Sequence, residues 1–258
     1  NGISAVALGK ESKSSALRAT AVGAQTQASG INSTAVGYQS KSTGLGSIAI
    51  GSNSKALNKD SIAIGYETES SGNRSTSIGS KTSSTGNSSF AAGFETAATG
   101  TNSFAIGTRA ESTGINATAV GYQSESSGLG SIAIGTNSEA TNSDSVAIGY
   151  NSQSTGVSSF AAGYRAIATG TNSFAIGTDA KSELDDAIAI GTNTVAEYGS
   201  SSANNSITIG TKGNGTADLI LPGLANKPKS GTQYLVVDGQ GVVSVGTSKK
   251  IPEINVEV

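Results

Sequence analysis

The chain has 258 residues, a mass of 25.3 kDa and a formal net charge of −2, with 35 glycines, 5% aromatic and 13% charged residues. It contains no His, Cys, Met or Trp. These zeros exclude a Cys/His zinc site, a disulfide and any Ser-His-Asp or Cys-His catalytic arrangement, and the pI of about 5.2 offers no basic patch for nucleic acid.

No apolar run approaches the roughly 20 residues that span a bilayer. Without an initiating Met the sequence is expected to be a processed product or a segment, and Asn1 opens straight into repeats with no signal peptide. Low charge and abundant Gly and Ser permit disorder, so periodicity decides the fold class.

Glycine recurs at Gly9, Gly23, Gly37, Gly51, Gly65, Gly79, Gly93, Gly107, Gly121, Gly135, Gly149, Gly163, Gly177 and Gly191, always fourteen residues apart. Gly210 follows after nineteen, which predicts an insertion at about 195–205 in the last coil. Seven residues after most marker glycines stands a second small residue: Gly30, Gly44, Gly72, Gly86, Gly100, Gly114, Gly128, Gly156 or Gly170, with Asn58 and Asn142 as substitutes. Gly and Asn tolerate positive φ, so each coil is expected to be two strand-plus-turn halves with the left-handed residue here. Thr34–Ser61 matches Thr118–Ser145, and Phe90–Ala110 matches Phe160–Ala180, as whole-coil gain and loss allows.

Positions are counted from the marker glycine. The strand before it reads Ser-x-Ala-x-Gly and alternates with period two. Its −3 and −1 positions form one face that reads, among other coils, Ile48/Ile50, Ile62/Ile64, Phe104/Ile106, Ile132/Ile134 and Phe174/Ile176. Its −4 and −2 positions are almost only Ser and Ala. The following strand carries small residues at +3 and +5, and polar ones at +2 and +4 that must meet water.

The two small faces can close on each other as a thin two-layer roll, about 70 Å tall at ~4.8 Å per coil, with strands of about five residues. The −3/−1 residues then form an exposed apolar wall on the order of 1,000 Å², more than monomers tolerate, and are expected to form the core of a homo-oligomer. The rival arrangement encloses the aliphatics and leaves Ser and Ala outside. The pattern alone does not choose a dimer or a trimer.

The three prolines, Pro222, Pro228 and Pro252, all follow the repeats. Tyr234–Val237 and Val242–Val245 flank Asp238-Gly239-Gln240-Gly241 and read as a hairpin. The expected division is a repeat domain over 1–210 and a small β cap or connector over 211–258.

Ser145-Val146-Ala147-Ile148-Gly149 and its equivalents resemble the fourteen-residue core of the head of YadA-like trimeric autotransporter adhesins, over roughly residues 4–210. The resemblance implies an all-β, left-handed parallel β-roll of about 14–15 coils. It also implies a homotrimer displayed on the bacterial surface, anchored in the outer membrane only through a part this sequence lacks. Heads of that type attach to matrix proteins, glycans, cells or other surfaces and are not enzymes. Similar repeats occur in phage tail fibres, so a receptor-binding or structural fibre segment is the alternative.

Tyr38, Tyr66, Phe94, Tyr122 and Tyr150 follow marker glycines every second coil, and Tyr164 adds one more. They are candidate ligand contacts; the alternative is that each ring only shields its neighbouring turn. The outer charges, from Lys41 to Glu139, are mixed in sign, which favours a solvated face over electrostatic steering. Asp185 and Asp186 read as a solvated turn, and no catalytic, cofactor or metal residues are expected. An ice-binding array would need regular threonines at −3, where Thr, Ile, Val and Phe alternate instead.

Overall fold

A computed structural model describes residues 2–196 and 207–209, and the backbone of 233–237 and 243–247. The chain divides into two units, Asn1–Thr216 and Ala217–Val258. Most of the expected insertion at 195–205, Gly210 and most of the C-terminal module lie outside the described residues.

The first unit is a parallel β-solenoid. Each coil supplies a first strand ahead of its marker glycine, such as Ile48–Ile50, and a second strand after it, such as Lys55–Ala56. The first strands stack as one 15-stranded sheet and the second strands as a 14-stranded sheet. Neighbours in both are parallel and in register at the repeat length, so Ala49 lies beside Ala63 and Lys55 beside Glu69. At the end of the stack Ile188 pairs with Ile207, so the ladder keeps its register across the longer last coil. There is no helix among the described residues.

The small faces are inside. Every alanine at −2 from Ala21 to Ala189 is fully buried, as are most Ser and Ala side chains at −4, +3 and +5, and the largest fully buried side chain is a threonine. The rival arrangement, with aliphatics enclosed, is therefore excluded: Ile50, Ile106 and Phe174 lie on the outside, each more than a third exposed. Two layers this close admit only the side chains of Ala, Ser and Thr between them.

The buried hydroxyls pair across the interior. The Ser42 and Ser47 hydroxyls lie 2.6 Å apart and share a hydrogen bond, and Ser47 Oγ donates onward to the Gly44 carbonyl at 2.8 Å. The same link recurs at Ser126 and Ser131 and at Ser154 and Ser159. Where alanine stands at the other end the serine either turns to a backbone carbonyl, as Ser14 does to Ala19 at 2.7 Å and Ser182 to Ala187 at 2.8 Å, or is left without a partner, as Ser33, Ser103, Ser112 and Ser173 are.

The strands are shorter than the alternation predicts. Most first strands have three residues and the second strands two. The reason is backbone sign. The residue at +2 is left-handed in every described coil, as at Asn53 (φ 59°), Gln123 (φ 51°) and Arg165 (φ 54°), which ends the strand and makes a corner. A second left-handed residue stands at +9, as at Asp60 (φ 53°) and Asn102 (φ 56°).

This corrects the role expected of the small residue at +7. Gly100 and its equivalents have no left-handed φ. They are glycine because a Cβ would lie 2.0 Å from the carbonyl oxygen of Gly114 in the next coil. The constraint is close approach of backbones, and the conformational one sits two residues later. Each non-glycine left-handed corner costs about 1–2 kcal/mol. The ladder offsets this, because the corner N–H groups still bond to the preceding coil: Asn53 N donates to the Tyr38 carbonyl at 2.8 Å, and Asp60 N to the Leu45 carbonyl at 2.7 Å.

In the second unit Gln233–Val237 pairs antiparallel with Val243–Thr247, placing Leu235 opposite Val245. The expected turn at Asp238–Gly241 lies outside the described residues.

Two predictions follow from the interior and the corner. Gly93 has φ +138° and a Cβ there would sit 1.8 Å from the Gly107 carbonyl oxygen. Gly93→Ala should therefore lower stability by on the order of 1–3 kcal/mol from backbone strain alone, read as a fall in Tm by circular dichroism. Ser103→Ala removes a buried unpaired hydroxyl and should stabilise by about 1 kcal/mol, whereas Ser131→Ala strands Ser126 and should destabilise.

Candidate functional site

The roll presents three outward surfaces. The first is the outer side of the first-strand sheet. Ile50, Ile64, Phe104, Ile106, Ile134, Phe174 and Ile176 are exposed there, and Ile48, Ile62 and Ile132 are half-buried. The fourteen-residue register makes the −1 row continuously apolar, while threonines such as Thr34, Thr76 and Thr118 interrupt the −3 row. Phe90 and Phe104 stack at 5.1 Å between ring centroids, and Phe160 and Phe174 at 5.7 Å. All ten expected wall residues thus lie on one face of one sheet.

An apolar row that sequence reasoning missed borders this wall. Ile3, Leu17, Ile31 and Leu45 occupy −6 in four successive coils, and Ile115, Leu129 and Val157 occupy it again farther on. All are exposed. The signal was present as a hydrophobic residue at fixed spacing. It fell between strands, in a turn, where alternation gives no face.

The second surface is the corner at +1. Tyr38, Tyr66, Phe94, Tyr122, Tyr150 and Tyr164 are each between 41% and 50% exposed, so the rings stand out from the turns. Tyr150 and Tyr164 stack at 5.2 Å with planes 8° apart. The Arg165 guanidinium lies 4.9 Å from the Tyr164 ring centre. The others alternate with Ser80, Thr108 or other small residues, since Tyr66 and Phe94 both pair with Ser80. A hydrogen bond to Glu67, and its negative charge, push the Tyr66 phenol up from its ordinary value.

The third surface is the outer side of the second-strand sheet, which the corner separates into two rows. The +2 row sits in the turns and is internally paired. Gln39 Nε2 donates to Gln25 Oε1 at 2.8 Å, Arg109 Nε to Glu95 at 2.8 Å, and Arg165 clasps Asp179 through two bonds of 2.6 and 2.7 Å. That clasp holds the Asp179 carboxyl below its usual range. The +4 row sits on the strands. Lys13, Lys41 and Lys55 stand near its start, with Glu69 beside Lys55; Glu111, Glu125 and Glu139 stand in three successive coils farther along, and Lys181 follows them. Among the described residues no group of acidic side chains is arranged to hold a metal ion.

Glu125 lies between Glu111 and Glu139 in this row. Partial burial, then the charges of Glu139 and Glu111, raise its carboxyl above the ordinary glutamate value. A raised value means the folded chain holds this proton more tightly than the unfolded chain. Its stabilising contribution is full below the ordinary glutamate pKa and is lost as pH rises through the folded one. Glu125→Gln should therefore raise Tm at pH 7, and the gain should vanish below about pH 4. An equal gain at both pH values would refute the repulsion.

One comparison with known proteins matches this repeat. A family model described as the YadA head domain repeat, two copies to a match, fits residues 1–26, 28–54, 56–82, 84–110, 112–138, 140–166 and 168–194. Comparison with curated proteins finds no match. Among solved structures, the collagen-binding domain of Yersinia adhesin YadA is 22% identical, over 86% of this chain and 96% of that one, with a TM-score of 0.27. Successive family matches each take in two of the coils described above, end to end through residue 194, and the chain accordingly belongs to the YadA head domain repeat family.

Proposed function

We propose that this chain is the head of a homotrimeric, non-catalytic adhesin displayed on a bacterial surface, and that it attaches to a matrix protein, glycan or other surface ligand. Membership of the YadA head repeat family supports the adhesive role. The observation that carries the assembly is the wall: its −1 side chains, such as Ile134 at 40% and Ile176 at 38% exposed, form an apolar row along the sheet of a single chain. Soluble monomers rarely leave such a patch open beyond a few hundred Å². Packing three walls about one axis buries it, and the family resemblance favours three chains over two. In this reading residues 1–210 form the head, 211–258 cap it or join it to a following segment, and the corner aromatics contact the ligand.

Sedimentation equilibrium of the intact chain should give about three times its 25.3 kDa mass. The double variant Ile106→Asp/Ile134→Asp should dissociate it to monomers, and a monomeric parent would overturn the assembly. The purified assembly is then screened against collagen, other matrix proteins and glycans. Tyr38→Ser/Tyr66→Ser/Tyr122→Ser should weaken the strongest interaction at least tenfold while the mass is unchanged. Unchanged binding, or loss of the assembly, would remove the rings from the ligand site.

A further inference from the structure

The outer side of the second-strand sheet is furrowed between its +2 and +4 rows. A groove of about 580 Å³ lies among Glu11, Lys13, Gln25, Gln27 and Gln39. Another of about 490 Å³ lies among Gln123, Glu125, Asn137, Glu139, Asn151 and Gln153. Their rims differ. In the first groove the amides satisfy one another: Gln39 donates to Gln25 at 2.8 Å, and Gln25 Nε2 donates to Glu11 at 2.9 Å. Over the second groove the pairing of the +2 row breaks. The side-chain amides of Gln123, Asn137 and Asn151 have no hydrogen-bond partner among the described residues, although the row is paired on either side, at Arg109–Glu95 and Arg165–Asp179. The groove is on the sheet opposite the apolar wall, so burial of that wall leaves it open.

This groove also runs beside rings. Tyr122, Thr136 and Tyr150 immediately precede its three amides in the chain. Rings in adjacent coils consume each other's faces, as Tyr150 and Tyr164 do by stacking at 5.2 Å. Across Thr136 the rings alternate instead, so Tyr122 and Tyr150 stand two coils apart, ~9.6 Å, with no ring stacked between them. At Phe94 the rings alternate in the same way, but the Lys81–Glu95–Arg109 pairs occupy the polar row beside it.

Two periods therefore coincide over residues 122–153. The polar groups repeat in every coil, ~4.8 Å apart. Each coil offers an amide at +2 and a carboxylate or amide at +4, as Gln123/Glu125, Asn137/Glu139 and Asn151/Gln153, with the +4 groups in register. The rings repeat in every second coil. An extended polypeptide strand repeats a face every ~6.8 Å and matches neither period. A polyproline helix repeats every ~9.3 Å and meets the rings, but its residues advance by ~3.1 Å, out of step with the polar rows. A flat β-1,4-linked sugar chain has both periods. Each sugar advances by about one coil and brings hydroxyls to both edges. Alternate sugars are flipped, so the same ring face returns at every second one. Amides and carboxylates bond hydroxyls, and tyrosine rings cover the C–H face of a pyranose.

We infer that this groove binds about three residues of a neutral, β-1,4-linked polysaccharide lying along the roll axis, one sugar to each ~4.8 Å coil. The inference rests on the reading that the corner rings contact the ligand, and it names the ligand class at one stretch of that corner. The neighbouring Glu111, Glu125 and Glu139 repel sulfated or carboxylated chains by like charge.

The test is calorimetric titration of the intact chain with cellohexaose and chitohexaose. At least one should bind. Maltohexaose, whose α-linkages curl the chain, should bind at least tenfold more weakly, and heparin should not compete. Tyr122→Ala/Tyr150→Ala and Gln123→Ala/Asn137→Ala should each weaken the hexasaccharide at least tenfold. Gln25→Ala/Gln39→Ala, in the groove whose amides are already paired, should leave it unchanged. Thr136→Tyr adds a ring between the two and should remove binding by mutual stacking, with the Tm maintained by circular dichroism. Binding of neither hexasaccharide, equal binding of maltohexaose, or full binding by Thr136→Tyr or by the Gln123→Ala/Asn137→Ala variant would overturn the inference. A chain that binds neither hexasaccharide yet holds a matrix protein through its corner rings would leave the adhesive reading standing, so the two fail separately.

Discussion

The distance between the two sheets governs the rest of the molecule. Nothing larger than threonine is fully enclosed, and alanine methyls and serine hydroxymethyls line the gap from coil to coil. A gap that narrow buries little apolar area per residue, so the hydrophobic gain that drives most folds is small inside this one. Backbone ladders and paired hydroxyls carry a larger share of its order. The remaining apolar side chains, which in a thicker sandwich would be the core, are displaced to the outside of one sheet.

That displacement links folding to assembly. The chain is repetitive because each coil is held chiefly by its neighbours, and a repeat array gains stability by stacking. Each coil turns two corners on left-handed residues, many of them Gln, Glu, Arg or Lys, which do not favour that conformation. The corners persist because their N–H groups complete the ladder to the coil before. Since the backbone holds the corner, its side chain is free to vary, and the variable positions are where paired charges and amides accumulate.

Much of this was legible beforehand. The unbroken spacing of the marker glycines gave the parallel stack and its register, because residues one repeat apart must lie side by side in a solenoid. Period-two alternation placed Ile50 and Ile134 opposite Ala49 and Ala133, as burial confirms. Three features were not legible. Left-handed +2 corners shortened the strands, because alternation in letters does not reveal the sign of φ. Gly100 is small for want of room beside Gly114, a clash visible only between coils. The −6 row emerged only when turn residues and strand residues were separated in space.

The sequence by itself determined the repeat length, the register, which residues share a face, and the family. Those follow from periodicity and side-chain volume, which need no coordinates. Only the tertiary structure decided which face is enclosed, where the backbone turns and which charges share a row. Two facing patterns, small and aliphatic, each satisfy alternation equally well. The choice between them depends on how closely two sheets can approach once every coil is stacked, and that distance is a property of the whole roll.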